Sequence, residues 1–281
     1  MTVNRQGPAV DGDAFSAFEA SGWDRQAPSY VGFFGRVTSR LVGPLLDAAG
    51  VGSGARMLDL ATGPGYAAAE AAGRGAAVVG VDVAPGMVAL ARRLHPSLDF
   101  READAEALPF ADGTFTAAVS NFVIPHLARH GRAVGELVRV LGAGAKLAMT
   151  TWDFPDRMRL IGVFLDAFAE AGATPPDGIP AGPPFFRYSG DEELAGLLAD
   201  GGLTGVRVDT IAFDQRVATA DELWDGVVTG TVRTSAMIMG QPEQTRQRVR
   251  AAFDRLVMPY RRGDHFEFPV SVKIGHGRKP D

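Results

Sequence analysis

Small and acidic residues follow a short apolar run in the stretch MLDLATGPGYAAAEAA, residues 57–72. Gly63, Gly65 and Ala68 have the G-x-G-x-x-G/A spacing of a turn at which the backbone approaches an adenosine-containing cofactor. Asp59 lies inside the apolar run before the glycines. The pyrophosphate of a dinucleotide gains nothing from a carboxylate there, whereas a cationic group is attracted to it. The alternative is a solvent-facing aspartate in an ordinary turn between a strand and a helix.

Three later apolar runs also end in polar residues, in the stretches VDVAPGM, EADAEALPF and SNFVIPH. Asp82 lies 17 residues beyond Gly65, close to the interval of about 20 at which an acid meets a ribose diol. Its alternative role is to cap the helix that begins near Pro85. His126 carries an imidazole, which exchanges a proton near neutral pH, and is the best single candidate for a general base. The alternative is a histidine that packs beside the cofactor without a catalytic role.

The composition excludes several classes of function. The 281 residues, 46% hydrophobic and 22% charged, are typical of a globular protein with a full core, and the net charge of -5 disfavours nucleic acid as a partner. Without cysteine there is no thiolate nucleophile, and five scattered histidines predict no metal site. The sequence has no apolar run of membrane-spanning length and no signal-peptide pattern, so we expect a cytoplasmic protein with no membrane partner.

Strand and helix patterns alternate between residues 56 and 151. Continuous apolar runs predict five strands, with helices between them, at residues 56–60, 76–83, 98–104, 115–123 and 144–152. Such alternation predicts a parallel sheet covered on both faces, which binds ligands beyond the carboxyl ends of its strands. Two further strands are predicted at residues 205–217 and 266–278. The fold class is therefore α/β, a Rossmann-like doubly wound sheet of about seven mostly parallel strands with an antiparallel C-terminal strand.

The flanking segments predict two helical additions to this sheet. Residues 1–50 are expected to form an N-terminal helical cap, with its helix from about residue 30 to residue 49. Residues 51–281 are expected to form the core. The insertion at about 217–262 is too long for a hairpin loop, and its two helical patterns predict a lid over the substrate.

The four strand ends together resemble the class I S-adenosylmethionine-dependent methyltransferases, most closely the ubiquinone/menaquinone-type branch that acts on small molecules. The resemblance covers residues 26 to about 151 strongly and the remainder only in its order of elements. It implies S-adenosylmethionine as the cofactor and S-adenosylhomocysteine as the product. Asp104 is expected at the adenine amine and the Ala105 N–H at a ring nitrogen. Ala84 departs from the family, which usually has Ser or Thr there; this weakens the helix cap but not the ribose contact.

The cofactor-binding residues expected from these motifs and this resemblance are Tyr30, Asp59, Ala61, Thr62, Gly63, Gly65, Asp82, Val83, Met87, Asp104, Ala105, Glu106, Asn121 and Phe122. His126 is the expected catalytic residue, and no metal is expected. Asn121 lacks the two prolines that follow it in many amino-directed methyltransferases, which argues against adenine-N6 or glutamine chemistry.

The predicted function is methyl transfer to the oxygen or carbon of a small, largely apolar metabolite, in a pathway such as natural-product biosynthesis. Aromatic and methionine residues are expected to line the acceptor pocket: Trp152, Phe154, Phe185, Phe186, Met237 and Met239. One alternative is a protein of this fold that binds S-adenosylmethionine but catalyses a cyclisation or rearrangement. An NAD-dependent oxidoreductase is disfavoured by Asp59 and by the lack of a Tyr-x-x-x-Lys pair. The oligomeric state stays open, a homodimer included.

Overall fold

Eight strands form one sheet in the computed structural model, which describes residues 11–281. The first ten residues of the expected N-terminal cap lie outside the described residues. The strands are β1 (Arg56–Leu60), β2 (Ala77–Asp82), β3 (Asp99–Glu102), β4 (Phe115–Ser120), β5 (Leu141–Trp152), β6 (Thr204–Val217), β7 (Arg261–Arg262) and β8 (His265–Arg278). Their order across the sheet is β3-β2-β1-β4-β5-β8-β6, with β7 paired to β8.

The sheet is parallel from β3 to β5 and antiparallel at β8, which lies between β5 and β6. This confirms the predicted mostly parallel sheet with an antiparallel C-terminal strand. Neighbouring residues of β1 pack into different parts of the core, Leu58 into one cluster and Met57 into another. Because successive side chains of a strand point to opposite faces, both faces of the sheet are covered.

Eleven α-helices belong to residues 11–281: α1 (Gly12–Tyr30), α2 (Phe34–Thr38), α3 (Val42–Ala48), α4 (Tyr66–Gly73), α5 (Pro85–Leu94), α6 (His130–Val140), α7 (Arg159–Ala171), α8 (Asp191–Asp200), α9 (Ala220–Gly230), α10 (Arg233–Met239) and α11 (Glu243–Leu256). Short 3₁₀ helices occupy Ser39–Leu41, Ile124–His126 and Met258–Tyr260. None of the described helices is long and apolar enough to cross a bilayer.

The N-terminal region is more helical than the sequence predicts. Helix α1 begins directly after Asp11, whose carboxylate accepts hydrogen bonds from the N–H groups of Asp13 and Ala14 and so caps the helix. The single helix expected over residues 30–49 is instead divided into α2, a 3₁₀ turn and α3. Pro44 has no N–H to donate to the preceding turn, which prevents one continuous helix through this region.

Three helices, α9 to α11, occupy the insertion between β6 and β8, where two were expected. The additional helix is α10, most of which is formed by the stretch TSAMIMG between the two predicted helices. Helix α11 packs on α7 through Phe253 and Phe164, whose ring centroids are 4.7 Å apart. The insertion also contacts α1, at the C-terminal end of α9. There Gln26 Nε2 donates to the carbonyls of Val228 (3.3 Å) and Thr231 (3.2 Å). The division of the chain into cap, core and lid stays a prediction.

Candidate active site

A deep cleft lies where β1, β2 and β4 end, and it encloses about 1210 Å³ of atom-free space, open solvent at its mouth included. One wall, which we call the strand-end side, is formed by Leu60, Ala61, Gly63, Asp82, Val83, Met87, residues 103–106, Asn121 and Phe122. Residues 16–23, 126–128, Phe185 and residues 230–234 contribute the opposite wall, which we call the helical side. A cleft beyond the carboxyl ends of parallel strands is where ligands bind in such sheets.

Most of the expected site residues line this cleft: Tyr30, Ala61, Gly63, Asp82, Val83, Met87, Asp104, Ala105, Glu106, Asn121, Phe122 and His126. Asp59, Thr62 and Gly65 are not among its lining residues. The structure thus brings twelve of the fifteen expected residues to one cleft, and the other three lie in the turn that follows β1 (Thr62 and Gly65) or in β1 itself (Asp59).

Asp59 stabilises the conformation of that turn from its buried side, away from the cleft. Its Oδ2 accepts hydrogen bonds from the Thr62 hydroxyl (2.7 Å) and from the Ala68 N–H at the start of α4 (3.1 Å). Only 1% of Asp59 is exposed, and this burial raises the pKa of its carboxyl group to about 7. Asp59 therefore positions the backbone that faces the cleft, where the sequence suggested direct proximity to the cofactor.

The two glycines of the turn have different surroundings, although both have positive φ angles, +52° at Gly63 and +83° at Gly65. A Cβ added to Gly63 would meet nothing within 4 Å, whereas one added to Gly65 would lie 2.8 Å from the ring of Phe100. Ala61 also has a positive φ of +54°, which is unusual for a residue with a side chain. Gly63 thus leaves open space in the cleft, and Gly65 permits close packing of α4 on the sheet.

Asp82 joins the ends of β1 and β2. Its Oδ2 accepts from the Gly63 N–H (2.9 Å) and its Oδ1 from the Ala84 N–H (3.0 Å). Burial raises the pKa of Asp82, while these backbone hydrogen bonds oppose the rise. Each carboxylate oxygen keeps a second lone pair, so both can still accept hydrogen bonds from a ligand in the cleft.

Asp104 and Glu106 follow β3 and differ in their partners. Asp104 Oδ1 accepts from the Glu106 N–H (2.8 Å), and Asp104 itself is exposed. Glu106 is buried and forms an ion pair with Arg129 (2.7 Å), which also reaches Asp13 of α1 (2.5 Å). The Glu106 side chain therefore helps to bind α1 across the cleft, a role that the sequence motif did not predict.

Asn121 and Phe122 directly follow β4. The Asn121 amide donates to the Thr38 carbonyl (3.1 Å) and accepts from the Thr150 hydroxyl (2.8 Å). Phe122 has a φ of +64° and stacks on Trp152, with the ring centroids 3.8 Å apart. A strained backbone held by such contacts is typical of functional sites.

Tyr30 closes one end of the cleft from the C-terminus of α1. Its hydroxyl lies 3.2 Å from the Thr38 hydroxyl, and burial raises its pKa to about 12. The phenol is therefore neutral at physiological pH and offers its ring to the cleft. Trp23 packs edge-on against this ring at 5.7 Å.

His126 lies on the helical side and is hydrogen-bonded to a carboxylate of α1, more than a hundred residues earlier in the chain. Its Nδ1 is 3.0 Å from Oε2 of Glu19, which is 3% exposed. The imidazole also packs edge-on against Trp23 (4.9 Å) and Phe185 (6.0 Å). Sequence reasoning missed Glu19 and Trp23, because it placed no helix before residue 30. The available indication was the spacing of Phe15, Glu19 and Gly22, which are buried along one face of α1.

The expected apolar lining is only partly at the cleft. Trp152 and Phe185 line it, whereas Phe154, Phe186, Met237 and Met239 do not. Phe154 and Met239 are exposed at 39% and 53%. From the lid, residues 230–234 reach the cleft instead, because the junction of α9 and α10 faces it and the far end of α10 does not.

The residues of the strand-end side fit S-adenosylmethionine. Among the charged residues that line the cleft, acidic side chains outnumber basic ones: Glu19, Asp82, Asp104 and Glu106 against Arg233. This balance favours a cationic sulfonium and ammonium over a dinucleotide pyrophosphate. The open space at Gly63 allows close approach of the cofactor, and Asp82 has the acceptor oxygens that a ribose diol requires.

Comparison with known proteins gives one family match. Residues 58–149 match the model of a methyltransferase domain. The demethylmenaquinone methyltransferase of Beutenbergia cavernae is 39% identical over 110 residues, which are 39% of this chain and 46% of that protein. The chain spans about half the length of the demethylmenaquinone methyltransferases that it matches.

Two further proteins match over a larger share of their length. The uncharacterised protein Mb1438c of Mycobacterium bovis is 33% identical over 193 residues, which are 63% of this chain and 68% of that protein. The crystal structure of YcgJ from a Bacillus species aligns with a TM-score of 0.56 and 18% identity, covering 86% of this chain and 99% of that one. This last likeness is one of fold.

Proposed function

Because this chain belongs to the class I S-adenosylmethionine-dependent methyltransferases, we propose that it transfers a methyl group to a small, largely apolar metabolite. The single observation that carries the proposal is the cleft itself, which combines an acidic strand-end side with an aromatic helical side. One wall suits the cofactor, and the other suits an uncharged acceptor next to it.

The residues proposed to hold the cofactor lie on the strand-end side. Asp82 accepts from the ribose hydroxyls, Asp104 accepts from the adenine amine, and Gly63 leaves room for the methionine portion. Asp59, Thr62 and Gly65 act from behind, by fixing the turn. Val83 and Met87 line the cleft on the strand-end side and supply apolar contacts.

When bound, S-adenosylmethionine supplies a methyl carbon that accepts an electron pair from the acceptor, while the C–S bond breaks and its electrons stay on sulfur in S-adenosylhomocysteine. The protein's task is to align the acceptor and exclude water. Trp152, Phe185 and the lid residues 230–234 enclose the acceptor, and His126 removes its proton. No side-chain nucleophile is required for this reaction.

The acceptor is proposed to react at oxygen or carbon and to belong to natural-product biosynthesis in the cytoplasm. The curated relatives named as demethylmenaquinone methyltransferases act, by that name, on a quinone-type molecule. The stacked rings of Phe122 and Trp152 offer a flat apolar surface to an acceptor of similar shape.

The test is calorimetric titration of the purified protein with S-adenosylmethionine, S-adenosylhomocysteine and NAD, followed by a methyl-transfer assay. We expect micromolar binding of the first two and none of NAD. Phenolic, quinone and polyketide-like acceptors are then screened by mass spectrometry for a gain of one methyl group. Binding of NAD alone would overturn the cofactor assignment. Conversion of an acceptor without loss of the donor's methyl group would favour a cyclisation or rearrangement instead.

A further inference from the structure

A buried carboxylate and an imidazole form a pair on the helical side that the cofactor-binding residues do not explain. Glu19 lies on α1 and uses only Oε2, toward His126 Nδ1 at 3.0 Å. Its Oε1 is buried and has no hydrogen-bond partner among residues 11–281. A buried acceptor oxygen left unpaired is costly, so stability alone does not account for a carboxylate at this position, and its contact with His126 at the wall of the cleft points to a role in function.

The pair has a defined proton arrangement. An ionised carboxylate only accepts hydrogen bonds, so in the neutral imidazole the Nδ1 carries the proton and donates it to Glu19. The lone pair of the imidazole is then on Nε2, to which no group in the described part of the chain is hydrogen-bonded. His126 keeps 17% of its side chain exposed, in the cleft.

Arg233 is a third ionisable side chain in this region. Its guanidinium donates to the carbonyls of Pro183 (3.1 Å) and Pro125 (3.4 Å) and lies over the rings of Phe15 and Phe185. It is close enough to Glu19 for their charges to attract. Because Pro125 directly precedes His126, Arg233 also braces the segment that carries the imidazole.

We propose that Glu19 is a positioning residue that makes His126 Nε2 a proton acceptor, and that the acceptor of methyl transfer is a phenol or an enol whose hydroxyl faces this nitrogen. This inference rests on the proposed function. The aromatic rings of Trp23 and Phe185 flank the imidazole, so a flat, conjugated acceptor fits beside it. A conjugated hydroxyl is far more acidic than an alcohol, so an imidazole can accept its proton as a general base while the bond to the methyl group forms.

The proton is transferred from the acceptor's hydroxyl to His126. The acceptor's O–H bond breaks, its electron pair stays on oxygen, and a new N–H bond forms at His126 Nε2. The resulting imidazolium is stabilised by the negative charge of Glu19 at Nδ1. The electron pair left on the acceptor, at oxygen or at a conjugated carbon, forms the new bond to the methyl group. The proton leaves His126 for solvent after product release.

The first experiment uses the ligand-free protein and needs no acceptor. Nitrogen-15 NMR of histidine-labelled protein reports which ring nitrogen of His126 is protonated. We expect the Nδ1–H tautomer in the wild type and in Asp24→Asn, a control on the same helix whose carboxylate contacts the Gly86 N–H instead. We expect loss of that tautomer in Glu19→Ala. An unchanged tautomer in a folded Glu19→Ala protein would overturn the inference.

The second experiment separates positioning from a purely structural role. Glu19→Gln keeps the side-chain volume and removes the charge, so with catechol as acceptor we expect kcat to fall by about 100-fold with little change in KM. With 4-nitrocatechol, which is already ionised at mildly alkaline pH, the variant should approach the wild-type rate. A structural role would lower both rates equally, and this result would overturn the inference.

The outcomes also distinguish this inference from the proposed function. The wild type could methylate an acceptor that has no ionisable hydroxyl and fail to methylate catechol and 4-nitrocatechol. That result would overturn the acceptor class and leave the methyltransferase assignment intact. A protein that binds no S-adenosylmethionine would instead remove the proposed function, whatever the NMR result for His126.

Discussion

The two walls of the cleft are built in different ways. On the strand-end side, backbone N–H groups and carboxylates a few residues apart bind one another, as Asp82 does with Ala84 and Asp104 with Glu106. On the helical side, contacts join segments far apart in the chain, as Glu19 does with His126 and Gln26 with Thr231. The first wall is defined by local sequence, whereas the second depends on how α1 and the lid pack on the sheet. We infer that cofactor affinity and acceptor turnover can be altered separately.

His126→Gln is the strongest test of this separation. We expect kcat to fall by about 100-fold or more, because the proton acceptor is lost, and the calorimetric affinity for S-adenosylmethionine to stay unchanged. His276→Gln is the matched control, since His276 pairs with Asp209 on β6, away from the cleft. A parallel loss of cofactor affinity in His126→Gln would show that the two walls are not independent.

Asp82→Ala tests the same separation from the other wall. Hydrogen bonds to a charged group contribute about 1.5 kcal/mol or more each, so loss of two to the ribose should weaken S-adenosylmethionine binding by about 100-fold. Titration calorimetry measures this loss. Asp99→Ala, on the neighbouring β3 and paired with Arg101 at the surface, should bind normally. Equal affinities of Asp82→Ala and wild type would remove Asp82 from the cofactor site.

Asp59→Asn tests how the strand-end side is stabilised, through the pH dependence of the free energy of unfolding. The folded pKa of about 7 lies above the unfolded value of 3.8, so the stabilising contribution of protonated Asp59 is complete below pH 3.8 and is lost as the pH rises through 7. Between pH 5 and pH 8 this loss amounts to roughly 2–3 kcal/mol in the ligand-free protein. Asparagine can accept both hydrogen bonds and does not ionise. The free energy of unfolding of the Asp59→Asn variant should therefore fall less than that of the wild type between pH 5 and pH 8.

Urea denaturation of the wild type and of Asp59→Asn at both pH values measures the difference. Asp47→Asn is a suitable control, because Asp47 is exposed and pairs with Arg74 at the surface. Parallel pH profiles for the wild type and Asp59→Asn would contradict the raised pKa of Asp59 and its role behind the turn.

Gly63→Ala and Gly65→Ala form the pair with the smallest expected effects. Both positions have positive φ, which costs an alanine about 1 kcal/mol. The Cβ at position 65 also collides with Phe100, so we expect Gly65→Ala to lose more stability, as seen in its melting temperature. At position 63 the Cβ enters the cleft, and we expect binding of S-adenosylmethionine to weaken by about tenfold. If Gly63→Ala lost more stability and Gly65→Ala lost more affinity for S-adenosylmethionine, the roles assigned to the two glycines would be wrong.

The sequence predicted the strand-end side well because its information is local. Each polar group there directly follows a continuous apolar run, so both the strand and its terminal residue can be recognised within about ten residues. Asp59 was recognised as a site residue, but its indirect role behind the turn was not, since a hydrogen bond from the Ala68 N–H depends on where α4 begins. The parallel direction of β1 to β5 also follows from the alternation of strands and helices.

The helical side could not be predicted to the same extent. Helix α1 buries few residues, one of them the carboxylate of Glu19, and so has a weak apolar pattern. The contribution of residues 230–234 depends on the angle between α9 and α10, which no local pattern specifies. Met237 and Met239 are residue types typical of a pocket lining, but they lie at the C-terminal end of α10, away from the cleft.

The hydrogen bonds that join α1 to the lid have a consequence for the order of events on the ribosome. Gln26 is bound to residues more than two hundred positions later in the chain. About a hundred residues separate His126 from Arg233, and at translation rates of roughly 5–20 residues per second these need about 5–20 s to synthesise. During that interval the nascent chain holds the sequence of the strand-end side in full, while the residues of the lid that contact α1 do not yet exist. The helical wall is therefore the last part of the active site to be assembled.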